Sequence, residues 1–218
     1  MKTAILVDGG FYRRRSQSCI GYKSAALRAN ELYDYCIKHL SDKRHKNSID
    51  LYRILYYDCP PMAKKVYHPL LKRTVDFGKT ELYSWMTEFL NELKNKRKVA
   101  LRMGQLAESQ AFYNLRPEII KKLCNGTINF SDLTEDNFTI SVDQKGVDMK
   151  IGIDITSLAY KKQVDQIILI SGDSDFVPAA KLARREGIDF ILDPLGAPIK
   201  PDLTEHIDGL RTKNTAFK

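Results

Sequence analysis

Two carboxylates, Asp173 and Asp175, stand two positions apart just after an unbroken apolar run, Ile167-Ile168-Leu169-Ile170. Such a run reads as a strand buried on both faces, and Ser171-Gly172 ends it. The same grammar appears at the amino end, where the apolar run Thr3 to Val7 closes on Asp8 and meets Gly9-Gly10. A further acid, Asp148, falls in the first turn of a helix expected over Val147 to Lys161, where the helix dipole favours an anion. In an open α/β sheet, ligands bind at the carboxyl ends of strands, where the strand order reverses. If these elements are neighbours there, Asp8, Asp148, Asp173 and Asp175 converge on one crevice. Carboxylates within ~5 Å of one another repel by about 3 kcal/mol per pair at an effective dielectric of about 20, so a cation is expected among them. Mg2+ or Mn2+ suits an all-oxygen set, and the chemistry that follows is metal-assisted hydrolysis of a phosphodiester. The plainer alternative is a polar turn whose aspartates only cap the next helix. Four acids at three separate element ends weigh against it. Asp154 lies six residues beyond Asp148, about 240° around a 3.6-residue helix, so it is read as supporting the ligands or as a packing residue rather than joining them.

The elements that must position these acids alternate along the chain. A helix is expected over Ala25 to Leu40 and a strand over Asp50 to Tyr57, stopped by Asp58-Cys59-Pro60-Pro61. That makes β-α-β and predicts a parallel sheet with a right-handed crossover. From about 62 to 137 the alternation lapses. This stretch reads as a partly helical insertion, with a helix over Thr80 to Arg97, inside a single domain spanning 1–218. The pattern resumes with a short strand or extended lead-in at Phe138 to Val142, a helix from Phe176 to Arg185 and a strand at Ile188 to Leu192. A short helix is expected around Asp202 to Leu210. The fold class is therefore α/β with a mainly parallel central sheet.

Lys and Arg number 35 against 27 Asp and Glu, a formal net charge of +8. A polyanion is the natural partner of such an excess, because cationic side chains displace the counterions condensed on phosphates. The expected nucleic-acid-binding set is Arg13, Arg14 and Arg15 beside the first strand tip, Lys145, and the basic run holding Lys96, Arg97 and Lys98. As solvated charge runs the same residues would need no partner. The aromatics Tyr67, Phe77, Tyr83, Phe112 and Tyr113 are stacking candidates, with core packing as their other use. Cys19, Cys36, Cys59 and Cys124 have neither C-x-x-C nor zinc-site spacing, so reduced thiols and a cytoplasmic location are expected. The first apolar run is too short for a signal peptide, and no segment approaches the ~18–20 apolar residues of a membrane span.

V-D-G-G at the start, K-G-V-D-M-K-I-G-I-D-I at 145–155 and I-S-G-D-S-D-F at 170–176 together resemble the NYN domain, in its LabA-like branch of the PIN-like nuclease superfamily. D-C-P-P at 58–61 and A-A-K-L-A-R-R-E-G at 179–187 resemble that branch too. The resemblance implies a PIN-like three-layer α/β/α sandwich, a divalent metal, and RNA as the substrate to be processed or cleaved. By motif, the metal-binding and catalytic acids would be Asp8, Asp148, Asp173 and Asp175. Many NYN domains carry an Asn a few residues after the first Asp, whereas Gly9-Gly10-Phe11-Tyr12 stands here. A homo-oligomer is compatible with this reading. Two other functions compete: a non-catalytic RNA-binding protein that keeps the fold, and a haloacid-dehalogenase-type phosphatase, whose last acidic motif G-D-S-D resembles. The phosphatase needs a second Asp two residues after the first, and Gly10 is there instead.

Overall fold

The computed structural model describes residues 1–41 and 49–217. Along the chain lie β1 (Lys2–Asp8), α1 (Gly9–Ile20), α2 (Ala25–His39) and β2 (Asp50–Asp58). They are followed by β3 (Lys65–His68), β4 (Arg73–Asp76), α3 (Glu81–Lys94), β5 (Val99–Met103), β6 (Gln105–Leu106) and β7 (Phe112–Leu115). Next come α4 (Pro117–Cys124), β8 (Phe138–Ser141), β9 (Gln144–Lys145) and α5 (Val147–Tyr160). The chain closes with β10 (Gln166–Ile170), α6 (Val177–Arg185), β11 (Asp189–Asp193), α7 (Pro201–Glu205) and β12 (Gly209–Leu210).

Six of these strands form one parallel sheet in the order β12-β11-β10-β1-β2-β5. β1 and β10 lie at its centre, and alternation along them divides the core into two layers. Ala4, Leu6, Ile167 and Leu169 face Ile151, Ile155 and Leu158 of α5 and Ala180 and Ala183 of α6. Ile5, Val7, Ile168 and Ile170 face the other way, with Tyr12 of α1, Leu32 and Cys36 of α2, and Phe89 and Leu93 of α3. Side chains that alternate in direction along a strand force this outcome when both neighbours are apolar. The result is a three-layer α/β/α sandwich around a parallel sheet, as the sequence predicts.

Two expectations about the middle of the chain change. The stretch at about 62–137 supplies α3 and the edge strand β5 to the main framework. Its remainder forms small antiparallel pairs, β3 with β4 and β7 with β8. The strand foreseen at Phe138 to Val142 belongs to the second of these and not to the central sheet. Tyr113 and Phe138 pack on the buried ring of His68, so Tyr113 is a packing aromatic. Among the described residues, no helix is long and apolar enough to cross a membrane.

Candidate active site

The sheet's order turns back at β1, which has β2 on one side and β10 on the other. That is the point at which parallel sheets open a crevice beyond their strand tips. Register fixes what meets there: Val7 pairs with Ile170, so the next residues, Asp8 and Ser171, come side by side. Ser171 donates from Oγ to Asp8 Oδ2 at 3.1 Å and accepts from the Asp173 N–H at 3.3 Å. One buried hydroxyl thus ties the first acid to the backbone of the third.

Asp8 also caps α1, its Oδ1 accepting from the Phe11 N–H at 3.0 Å. The helix can start this tightly because Gly9 has no side chain. A Cβ there would lie 2.4 Å from the Tyr56 ring and 2.7 Å from Asp58. Burial pushes the Asp8 carboxyl above its ordinary pKa, and Asp148 adds to the rise. The Phe11 N–H, Ser171 and the Arg14 guanidinium oppose it.

Asp148 arrives through a clasp in which β9 pairs with β6, immediately beyond β5. Gly104 permits the clasp, since a Cβ there would sit 2.7 Å from the Lys145 carbonyl. α5 then starts, and Asp148 lies exposed in its first turn. Partial burial raises its pKa, and Asp173 and Asp175 raise it further. Asp173 accepts from the Asp175 N–H at 3.0 Å, capping the short turn before α6, and both side chains are exposed. Asp148 and Asp175 share the lining of a cavity of about 460 Å³ between α5 and α6.

The four predicted acids therefore occupy one rim and repel one another. Among the described residues no group of three His, Cys, Asp or Glu side chains forms a ready metal cage. The donor set nonetheless fits a hard divalent cation: it is entirely carboxylate, and added positive charge would relieve the mutual repulsion. In the sequence Ser171 marks only a strand end, and its bond to Asp8 appears with the fold. Its signal is its place directly before G-D-S-D.

Other acids near the strand tips are already engaged. Asp58 is buried and takes Arg13 in two-point fashion, Nε to Oδ2 at 2.9 Å and Nη2 to Oδ1 at 3.0 Å, with the Tyr56 hydroxyl at 2.8 Å. Asp193 is buried among Tyr35, His39, Thr212 and the Leu195 N–H. Asp154 is held by Arg102 of β5 at 2.7 and 2.8 Å and by the Tyr57 hydroxyl at 2.8 Å. It braces α5 against the sheet edge, as a packing residue does.

The basic residues also sort themselves. Arg13 serves Asp58, and Arg15 donates to the Leu195 carbonyl at 2.9 and 3.3 Å. Arg14 is exposed, stands beside Gly10 and acts electrostatically on Asp8. Lys145 is exposed in β9, two residues before α5. Lys96, Arg97 and Lys98 precede β5, so in a parallel sheet they lie at the opposite rim. Lys98 donates to Asp50 at the start of β2, eight residues and roughly 25 Å of strand from Asp58. They stand apart from the acids, so any phosphate they meet is a different one from a phosphate held at the acids.

Residues 67–198, more than half of the chain, match the NYN domain. The protein belongs to the NYN domain family, which lies within the PIN-like nuclease superfamily. The matched range includes Asp148, Asp173 and Asp175 and leaves Asp8 outside it. A crystal structure of a protein of unknown function from Vibrio parahaemolyticus is a distant likeness. It shares 15% identity at a TM-score of 0.48, over 99% of this chain and 94% of the other. No curated protein matches the chain.

Proposed function

We propose that this protein is a divalent-metal-dependent nuclease, most simply a ribonuclease of the LabA-like branch, acting as one domain over residues 1–218. The carrying observation is the Ser171 hydroxyl shared by Asp8 and the Asp173 backbone, with Asp148 close enough to be pushed up by Asp173 and Asp175. Asp8, Asp148, Asp173 and Asp175 would hold Mg2+ or Mn2+. Bound there, the ion would supply positive charge against the oxygens of a phosphodiester and help ionise the attacking water. The chain's own work is positional. Ser171 and the Phe11 N–H hold Asp8 in one orientation, the Asp175 N–H does the same for Asp173, and the β6–β9 clasp presents Asp148.

The test is incubation of labelled single-stranded and hairpin RNA, and of DNA, with the full chain in Mn2+ or Mg2+. Wild type should degrade RNA, and both chelation by EDTA and Asp173→Asn should abolish degradation. RNA bound equally by both forms, with no cleavage by either, would replace the nuclease by an RNA-binding protein.

A further inference from the structure

A second cavity, of about 440 Å³, lies between α1, the loop entering α2 and the start of α3, with Arg14 on its wall. That volume is in the range of small-ligand sites, about 300–1,000 Å³. Its lining combines arginines with aromatic surface. Arg13 and Arg28 also border it, but they are committed to Asp58 and Glu31. Arg14 is not: among the described residues it is exposed and has no salt-bridge partner, and it faces both the cavity and Asp8. Glu81 is the acid in the lining, set at the beginning of α3.

The aromatic part is held rigidly. Trp85 stacks on Phe89 with ring centres 5.1 Å apart and donates from Nε1 to the Lys23 carbonyl at 2.9 Å. Arg28 donates to the Gly21 carbonyl of the same loop and to Glu31 at 2.7 Å. Between these fastened points Tyr22 remains 75% exposed, and Leu82 across from it 67%. A large ring kept in water on a fastened loop gains nothing for the fold. Beside an unpaired arginine it is what a nucleotide requires: a flat apolar surface for the base and a guanidinium for the phosphate.

We propose that this cavity is a nucleotide subsite, taking the strand's nucleotide next to the one at the acids, with its phosphate on Arg14 and its base against Tyr22 and Trp85. It rests on the nuclease reading for the strand's direction of approach, but not for its own chemistry. An exposed patch serving a protein partner would show no preference for base plus phosphate.

Trp85 is the chain's one tryptophan, so its emission reports the cavity alone. The Asp173→Asn chain in EDTA would be titrated with adenosine, adenosine monophosphate, inorganic phosphate and a short single-stranded oligoadenylate. Adenosine monophosphate should quench Trp85 at concentrations on the order of tenfold lower than adenosine, and the oligonucleotide at lower ones still. Arg14→Ala should remove the advantage of the phosphate, and Tyr22→Ala should weaken every base-containing ligand by about tenfold. Both side chains are exposed, so neither variant threatens the fold. A Trp85 signal indifferent to all ligands, equal for adenosine and its monophosphate, or no stronger for the oligonucleotide overturns the subsite. A silent Trp85 in a chain whose RNA cleavage depends on Asp173 sinks the cavity and spares the nuclease. An Arg14-dependent signal in a wild-type chain that cleaves nothing does the reverse.

Discussion

Ser171 lies 163 positions from Asp8 in sequence, yet its hydroxyl donates to the Asp8 carboxylate at 3.1 Å while accepting from the Asp173 N–H. Both hydrogen bonds are consequences of the β1–β10 register, and together they orient the first acid. Removing the hydroxyl leaves Asp8 its Phe11 contact but frees the ring of conformations about its side chain. Hydrogen bonds to a charged group contribute about 1.5–3 kcal/mol. Ser171→Ala should therefore lower cleavage by roughly tenfold or more and demand a higher Mn2+ concentration for half-activity. Cleavage measured across a Mn2+ titration checks this; a drop in rate with unchanged metal dependence would make Ser171 merely structural.

Asp148 is raised by Asp173 and Asp175, which means that the metal-free fold carries a repulsion at this rim. Asp148→Asn should relieve part of it. Because the side chain is exposed, water screens most of the effect, and a rise of about 1–2 °C in Tm in EDTA is expected. Mn2+ should raise the Tm of wild type and do much less for the variant, which lacks one ligand. Thermal melts with and without Mn2+ decide the point: equal metal-induced shifts in the two chains would remove Asp148 from the ligand set.

Arg13 looks like a phosphate contact in the sequence and is a structural residue in the fold. Its two-point pair with Asp58 leaves a buried carboxylate uncompensated when the guanidinium is removed. Arg13→Ala should cost about 3 kcal/mol, or about 6–12 °C in Tm for a chain of this size. Arg13→Lys should rescue little, since an ammonium cannot reproduce the fork. Melting temperatures of the two variants provide the measurement. A Tm unchanged beside a weakened RNA affinity would restore the phosphate role.

The central strands could be read from the sequence because β1 and β10 are buried on both faces and must be continuously apolar. β5, V-A-L-R-M, does not stand out in the sequence because it is an edge strand, with Arg102 exposed toward Asp154 and a lysine-rich turn before it. The gathered acids were legible as strand-tip and helix-start residues. What could not be read was which strand-tip acids are already paired. Asp58 and Asp193 end apolar strands as Asp8 does, and their partners Arg13, Tyr35 and His39 are 45 to 158 residues away. The rim on which a basic run falls follows from strand direction, so Lys96 to Lys98 could be placed only once β5 was known.

That placement is itself testable. Arg97 is exposed at the rim opposite the acids. Arg97→Ala should leave both RNA affinity and its dependence on salt unchanged, whereas loss of one true phosphate contact reduces the salt slope by about one. Filter binding over a range of KCl concentrations reads both quantities. A shallower slope in the variant would return the basic run to the interface.

Glu31 joins three elements: it accepts from the buried Tyr12 hydroxyl of α1 at 3.0 Å, from Arg28 of α2 at 2.7 Å, and from Lys23 of the loop between them. Burial pushes its carboxyl up, but Lys23 and Arg28 outweigh that and hold it below the ordinary 4.5. A carboxylate held low in the folded state stabilises the fold above its unfolded pKa. That contribution fades as the pH falls through the lowered value. Glu31→Gln also strands Arg28, which is 2% exposed, so at pH 7 it should cost about 2–3 kcal/mol. The gap from wild type should narrow as the pH drops below 4.5, because wild type then loses the same charge. Urea unfolding of both chains at neutral and acidic pH checks the sign. A gap that stayed constant or widened in acid would mean that Glu31 acts through packing and not through its charge.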